Sequence, residues 1–346
     1  MTVLDQTRPF KVDAVRALAT SDGTVAVPTV HPKVTATPSR MLGLVVNVFL
    51  WTTVVVLCIM PLALVLAISF GQKVEGAGWV WAFTLENYQR FFVGANWPAE
   101  TTMLYVTQLY WSLRYAVVAS LLAVVTALPF TYLLTRQSRR AQARWLVFLL
   151  ASLSLSEVFI VMGWDIILSN NSGLPMVFAE TGLTDWLKRT GWFDVLREWG
   201  LANPRNVKFK TSEFATVLTM AYLVWPYAVI LLYPALSRLD PSLAEAARTM
   251  GARPWTVTRT VILPAVQLPL IGTTLLLFVF LLGSYVAVTV FADPAKQTSA
   301  VSIYENVRGS TLNAPFGSAQ AVILLVTAMI FLFLGQRLTR KAQGGT

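Results

Sequence analysis

Two carboxylates stand inside an otherwise apolar run, "EVFIVMGWD", as Glu157 and Asp165. At eight residues apart they fall on roughly the same face of a helix, which turns once every 3.6 residues. A charge at the centre of a bilayer costs roughly 2.5–3.5 kcal/mol on insertion scales, so such groups face a cavity, a partner or a solute path. Two carboxylates along one face suit a cationic, amine-bearing solute. Trp164, Tyr222, Trp225 and Tyr285 could add aromatic faces that attract a cation. A purely structural reading stands beside this one: Asp165 at the membrane interface, Glu157 bonded to a neighbouring span, and the aromatics packed in the core. Arg114, at the start of another apolar run, fits a side chain whose head snorkels to the interface.

The second constellation is polar: "EAARTMGARPWTVTRTVILP", residues 245–264, lies between two long apolar runs. Conventional catalytic patterns are missing from the sequence. There is no GxxxxGK[ST] loop to cradle a phosphate, no HExxH pair for zinc, and no GxSxG elbow. The single histidine, His31, falls in the N-terminal tail, which excludes a histidine-based metal cluster, and the single cysteine, Cys58, excludes a disulfide within the chain. Catalysis by this chain is not expected.

The elements that must position these groups are membrane spans. Hydrophobic residues make up 55% of the 346 and charged residues only 13%, against about 25% in a soluble domain. Several apolar runs reach the roughly 20 residues that a helix needs to cross a bilayer. Six spans are predicted, near 42–70, 110–134, 145–168, 214–236, 265–291 and 317–335. Lys and Arg collect in loops that stay in the cytoplasm. The N-terminal tail (Arg8, Lys11, Arg16, Lys33, Arg40), the loop after span two (Arg136, Arg139, Arg140, Arg144), the loop after span four (Arg238, Arg248, Arg253, Arg259) and the C-terminus (Arg337, Arg340, Lys341) are the basic segments. Both termini and the polar island are therefore expected in the cytoplasm. The net charge of +10 is assigned to this anchoring in a lipid bilayer, with no nucleic-acid partner.

Residues 1–41 read as a loosely ordered cytoplasmic tail, 42–337 as the membrane domain, and 338–346 as a short C-terminal tail. On the opposite side, "LTDWLKRTGWFDVLREWG" (183–200) reads as one amphipathic helix at the interface, or as a contact for an external protein. Trp79 and Trp81 are placed at the bilayer boundary.

Within the island, Asp240 and Pro241 can open a helix. Ser242 and Glu245 have the spacing of a capping box. Leu243, Ala246, Ala247 and Met250 recur on one apolar face, Gly251 can end the helix in a left-handed turn, and Pro254 can open a second short helix before the next span. An ordinary amphipathic loop, with Glu245 capping its own helix, has the same pattern.

The spacing of "EAA", three residues, Gly251, nine residues and "VILP" resembles the EAA loop of bacterial ABC importer permeases, with Val261 where the family has Ile. "FTLENYQRFF", "WPYAVILLYPALSRLDPSLAEAARTMGA" and "APFGSAQAVILL" resemble the spermidine/putrescine-type members over most of residues 42–337. Two departures bear on the substrate: a longer external loop at 169–212, and Leu153, Ser154 and Leu155 where the family has a "PFW" stretch.

The resemblance implies an all-α, six-span type I permease fold and an ATP-driven importer in the bacterial inner membrane. It implies that the 239–264 loop docks on an ATPase through Leu243, Glu245, Ala246, Ala247, Met250, Gly251 and Pro254. It implies a second permease, similar or identical, an ATPase dimer carrying ATP and Mg, and an extracytoplasmic binding protein, with no cofactor on this chain. The implied solute is a polyamine or another amine-bearing compound; an aminophosphonate, an opine-like compound, an anion or ferric ion are the alternatives. An ion-gradient-driven transporter and a membrane scaffold or enzyme without transport are the rival classes, and the chain has no visible inverted repeat to favour the first.

Overall fold

The computed structural model describes residues 40–74, 78–170, 172–309 and 311–343. The predicted tail, with His31, Arg8, Lys11, Arg16 and Lys33, lies outside them. The chain divides into two compact units, residues 1–60 and 61–346. In the first, α1 (Arg40–Val54) runs into a π-helical turn at Val55–Ile59, and none of residues 43–60 is buried. A helix apolar all round is the kind that lipid can surround.

The second unit follows the order α2 (Met60–Ser69), β1 (Gln72–Val74), β2 (Gly78–Val80), α3 (Glu86–Val93), α4 (Leu104–Thr135), α5 (Arg139–Leu153), α6 (Glu157–Leu168), α7 (Leu174–Glu180), α8 (Leu183–Thr190), α9 (Trp192–Glu198), α10 (Glu213–Ser237), α11 (Pro241–Thr249), α12 (Pro254–Val257), α13 (Leu263–Leu282), α14 (Val286–Phe291), α15 (Ser299–Arg308) and α16 (Ala314–Gln343). The strands form one antiparallel hairpin, with Lys73 opposite Trp79. Among the described residues five helical stretches are long and apolar enough to span a membrane: Gly43–Ser69, Leu104–Thr135, Glu213–Ser237, Pro254–Leu282 and Ala314–Arg337. A sixth forms if the pair Arg139–Leu153 and Glu157–Leu168 is counted as one span.

That pair corrects the expected straight third span, because its halves meet at 95°. The break falls within the serine-rich stretch "ASLSLSE". Ser152 Oγ donates to the Leu149 carbonyl at 2.7 Å, and Ser154 Oγ reaches the Leu150 carbonyl at 3.5 Å. Such bonds compete with the helical ladder. Ser156 is then extended (φ −63°, ψ 140°), and the helix restarts at Glu157.

The fifth span also differs. Helix is continuous from Pro254 through a π-helical turn at Thr258–Ile262 into α13, so no separate second short helix precedes the span. It stops at Gly283, not Phe291, and a short α14 follows. At the C-terminus, the last helix continues through residues 338–343 of the expected tail.

The core is built on α4 and α10. Both begin at one end of the molecule, where Arg114 pairs with Glu213, and finish at the other, where Gln142 bonds both to the Thr135 carbonyl and to Tyr233. Their buried faces carry Ala116, Ala119, Ala123 and Ala127 on one side and Ala215, Thr216, Thr219 and Ala228 on the other. Small residues let membrane helices approach closely, where packing replaces the hydrophobic drive. Gly335 in α16 serves a second close approach, since a Cβ there would fall within 2.4 Å of Leu275 Cδ1 in α13.

Candidate coupling loop and solute pocket

The loop at the far end of α10 is ordered by local chemistry. Asp240 caps α11: its Oδ1 accepts the Ser242 backbone N–H at 2.9 Å, and Pro241 fills the first turn, where no N–H is needed. The bond from Ser242, backbone first, holds the Asp240 carboxyl below the usual carboxylate range. Because the cap is Asp240, Glu245 lies beyond the first turn. The expected capping box between Ser242 and Glu245 does not form. Gly251 ends the helix at φ +82°, and Ala252 N–H bonds back to the Ala247 carbonyl at 3.0 Å. That left-handed turn is the expected bend.

The apolar face splits in two. Ala247 is buried together with Ala244 against Val257, with Ala252 and Val261 alongside. It therefore closes the hairpin of α11 on α12 and is unavailable to a partner. Leu243, Met250 and Trp255 point outward, 54%, 82% and 74% exposed. Glu245, Ala246, Gly251 and Pro254 are exposed with them. Ala244 and Trp255 escaped the sequence reading. Ala244 has the same spacing as its neighbours, and Trp255 is an aromatic in a polar, arginine-rich loop, a signal that was there to be read.

The break between α5 and α6 opens a cavity of about 240 Å³, lined among others by Leu153, Leu155, Glu157, Tyr222, Tyr227 and Phe280. Glu157 lies in the first turn of α6, where a negative charge is favoured by the helix dipole. Its Oε1 accepts a hydrogen bond from Ser284 Oγ at 3.2 Å, contributed by the break after α13. Of the other predicted path residues Tyr222 belongs to this lining, while Asp165, Trp164, Trp225 and Tyr285 do not. Asp165 is paired with Lys210 at 2.6 Å. Trp164 packs edge-on to Tyr222 at 5.4 Å, Trp225 against Phe130 at 4.8 Å, and Tyr285 stacks on Tyr304 at 4.2 Å. The pair of carboxylates thus resolves into one facing a cavity and one already neutralised.

Residues 127–343 match the family model described as "Binding-protein-dependent transport system inner membrane component". The chain belongs to that family. It is a multi-pass protein of the bacterial inner membrane, the permease subunit of an ABC importer and a transport component rather than an enzyme. Such permeases work with an ATPase and a substrate-binding protein.

Among its relatives is the spermidine/putrescine transport system permease protein PotB of Haemophilus influenzae, 23% identical over 300 residues, covering 86% of this chain and 94% of that one. The PotB protein of Escherichia coli is 23% identical and 97% covered. The sulfate transport system permease protein CysT of Escherichia coli is 30% identical over 176 residues, 49% of this chain and 62% of that one. The fold is similar to a chain of a bacterial ABC transporter involved in import of the acidic polysaccharide alginate, with a TM-score of 0.58 at 12% identity, covering 87% and 95%.

In this binding-protein-dependent permease, the other notable charges lie at the end where α4 begins. Glu213 accepts both Arg114 at 2.8 Å and Lys296 at 2.7 Å, and both cations also lie over Trp111. Arg114 is therefore an ion-pair partner rather than a lone snorkelling side chain. The expected amphipathic helix over 183–200 is two short helices, broken at Gly191 (φ +76°), with Trp186, Trp192 and Trp199 exposed and Phe193 buried.

Proposed function

We propose that this permease carries a small amine-bearing solute, a polyamine of the spermidine/putrescine kind, in an importer completed by a second permease, similar or identical, and an ATPase dimer that holds ATP and Mg. The observation that carries the solute class is the cavity at the broken third span. It presents the carboxylate of Glu157 and the aromatic residues Tyr222, Tyr227 and Phe280, and no Lys or Arg among the described residues lines it. A carboxylate beside aromatic faces favours an ammonium group. The names of the PotB relatives support the same class.

In this reading the loop of residues 239–264 and both termini face the cytoplasm, as the basic loops favour. Leu243, Met250 and Trp255 are then the exposed knobs that an ATPase surface would cover, with Gly251 setting the bend.

The sulfate permease similarity favours a second reading, an oxyanion. A pocket lined by a carboxylate and no cation disfavours it. The test is ATP-dependent uptake by proteoliposomes of the assembled importer with its binding protein, offered putrescine, spermidine, 2-aminoethylphosphonate, an opine, sulfate and ferric ion in turn. Uptake of the polyamines alone is the expected result. Uptake confined to sulfate would replace the solute class, and uptake that follows a proton gradient without ATP would overturn the importer reading.

A further inference from the structure

A second cavity, of about 480 Å³, lies at the end of the molecule where α4 begins. It is walled by the β1 strand, α3, the loop after it and the turn before α16, and its lining includes Gln72, Lys73, Glu86, Gln89, Arg90 and Asn313. Its two cations are fixed without an acid. Lys73 Nζ donates to the Thr311 carbonyl at 2.6 Å, which leaves two ammonium protons free. Arg90 lies over the Phe316 ring at 4.6 Å, and its buried Nε has no hydrogen-bond partner among the described residues. Among those residues Glu86 makes no ion pair. Among the described residues the lining therefore carries one net positive charge, two held cations and the free side-chain amides of Gln72 and Gln89, while Asn87 and Asn313 are bonded to backbone.

We propose that this cavity receives a carboxylate side chain of the substrate-binding protein, and so forms part of its docking surface. A planar guanidinium pinned on an aromatic ring offers the fork that a carboxylate accepts. A single net charge suits a monoanionic carboxylate better than a doubly charged phosphate. The inference rests on the proposed orientation, which puts this end outside the membrane, where the binding protein arrives.

The test uses the assembled importer in proteoliposomes. The concentration of solute-loaded binding protein that half-saturates ATPase stimulation is measured for the wild type, Lys73→Gln, Arg90→Gln and Gln89→Glu. The last variant adds a negative charge while leaving the Arg90–Phe316 stack in place, so a packing failure in Arg90→Gln does not decide the matter. Half-saturation is expected to rise roughly tenfold in each variant, with a weaker salt dependence in the two charge losses. Propionate, a monoanionic carboxylate added without binding protein, separates a free carboxylate from a protein side chain. Thermal protection by propionate, with half-saturation unchanged in all three variants, would overturn docking in favour of a small-solute site. Unchanged half-saturation without protection would overturn the site itself. Either result would leave ATP-driven uptake, and hence the importer reading, standing.

Discussion

Glu157 shows how much one residue's role depends on its backbone. In a straight span it would be a charge buried among apolar neighbours. At the first turn of α6 it gains a helix dipole, a hydroxyl donor from Ser284 and a cavity to face. Asp165, eight positions on, gains a lysine instead. The two carboxylates therefore make different predictions. Glu157→Gln should slow polyamine uptake about tenfold or more, while the assembled complex keeps its basal ATPase, because only the charge facing the solute is lost. Asp165→Asn should leave transport kinetics nearly unchanged and cost at most about 1 kcal/mol of stability, since the pair with Lys210 is one-third exposed and solvent-screened. Equal transport defects in the two variants would restore the two-carboxylate path. Initial uptake rates and thermal midpoints in detergent measure both.

At the scale of the element, the polar loop works through its bend. Gly251 has open space where a Cβ would stand, so replacing it incurs only the cost of a left-handed backbone, roughly 1–2 kcal/mol. Gly251→Ala is expected to loosen the α11–α12 hairpin and lower uptake per ATP hydrolysed more than it lowers ATPase activity. A variant with unchanged coupling would show that the bend is not needed. The buried partners Ala244, Ala247 and Val257 explain why the loop keeps small residues. Two helices close against each other there, and the larger exposed groups are left on the outside. The periodicity of Leu243, Ala246, Ala247 and Met250 was readable in the sequence, but which half of that face turned inward was not. That depended on where the following helix came back.

At the scale of the whole molecule, ion pairs reinforce the core pair of α4 and α10 and tie a further segment to it. Glu213 at the start of α10 ties α4 through Arg114 and the segment before α15 through Lys296. Two residues earlier, Thr211 takes φ +58°, a conformation uncommon for a residue with a Cβ. Glu213→Gln should lower the thermal midpoint by an amount worth about 1 kcal/mol, discounted for partial exposure, and the deficit should shrink as salt is raised. A deficit indifferent to salt would mean that packing, and not charge, binds these elements.

The sequence by itself determined that the chain spans a membrane, where three of the six apolar runs lie to within a few residues, and that Gly251 bends a loop opened by Asp240 and Pro241. These features follow from composition, run length and neighbours within a turn of each other, which the chain carries locally. Tertiary structure decided the rest. The break at Ser154–Ser156 turned the third span through 95° and opened the pocket. The return of α12 buried Ala247. Lys210, Arg114 and Lys296 reached carboxylates across the fold, Arg114 and Glu213 being 99 positions apart. Those pairings depend on which elements lie side by side, and packing sets that adjacency.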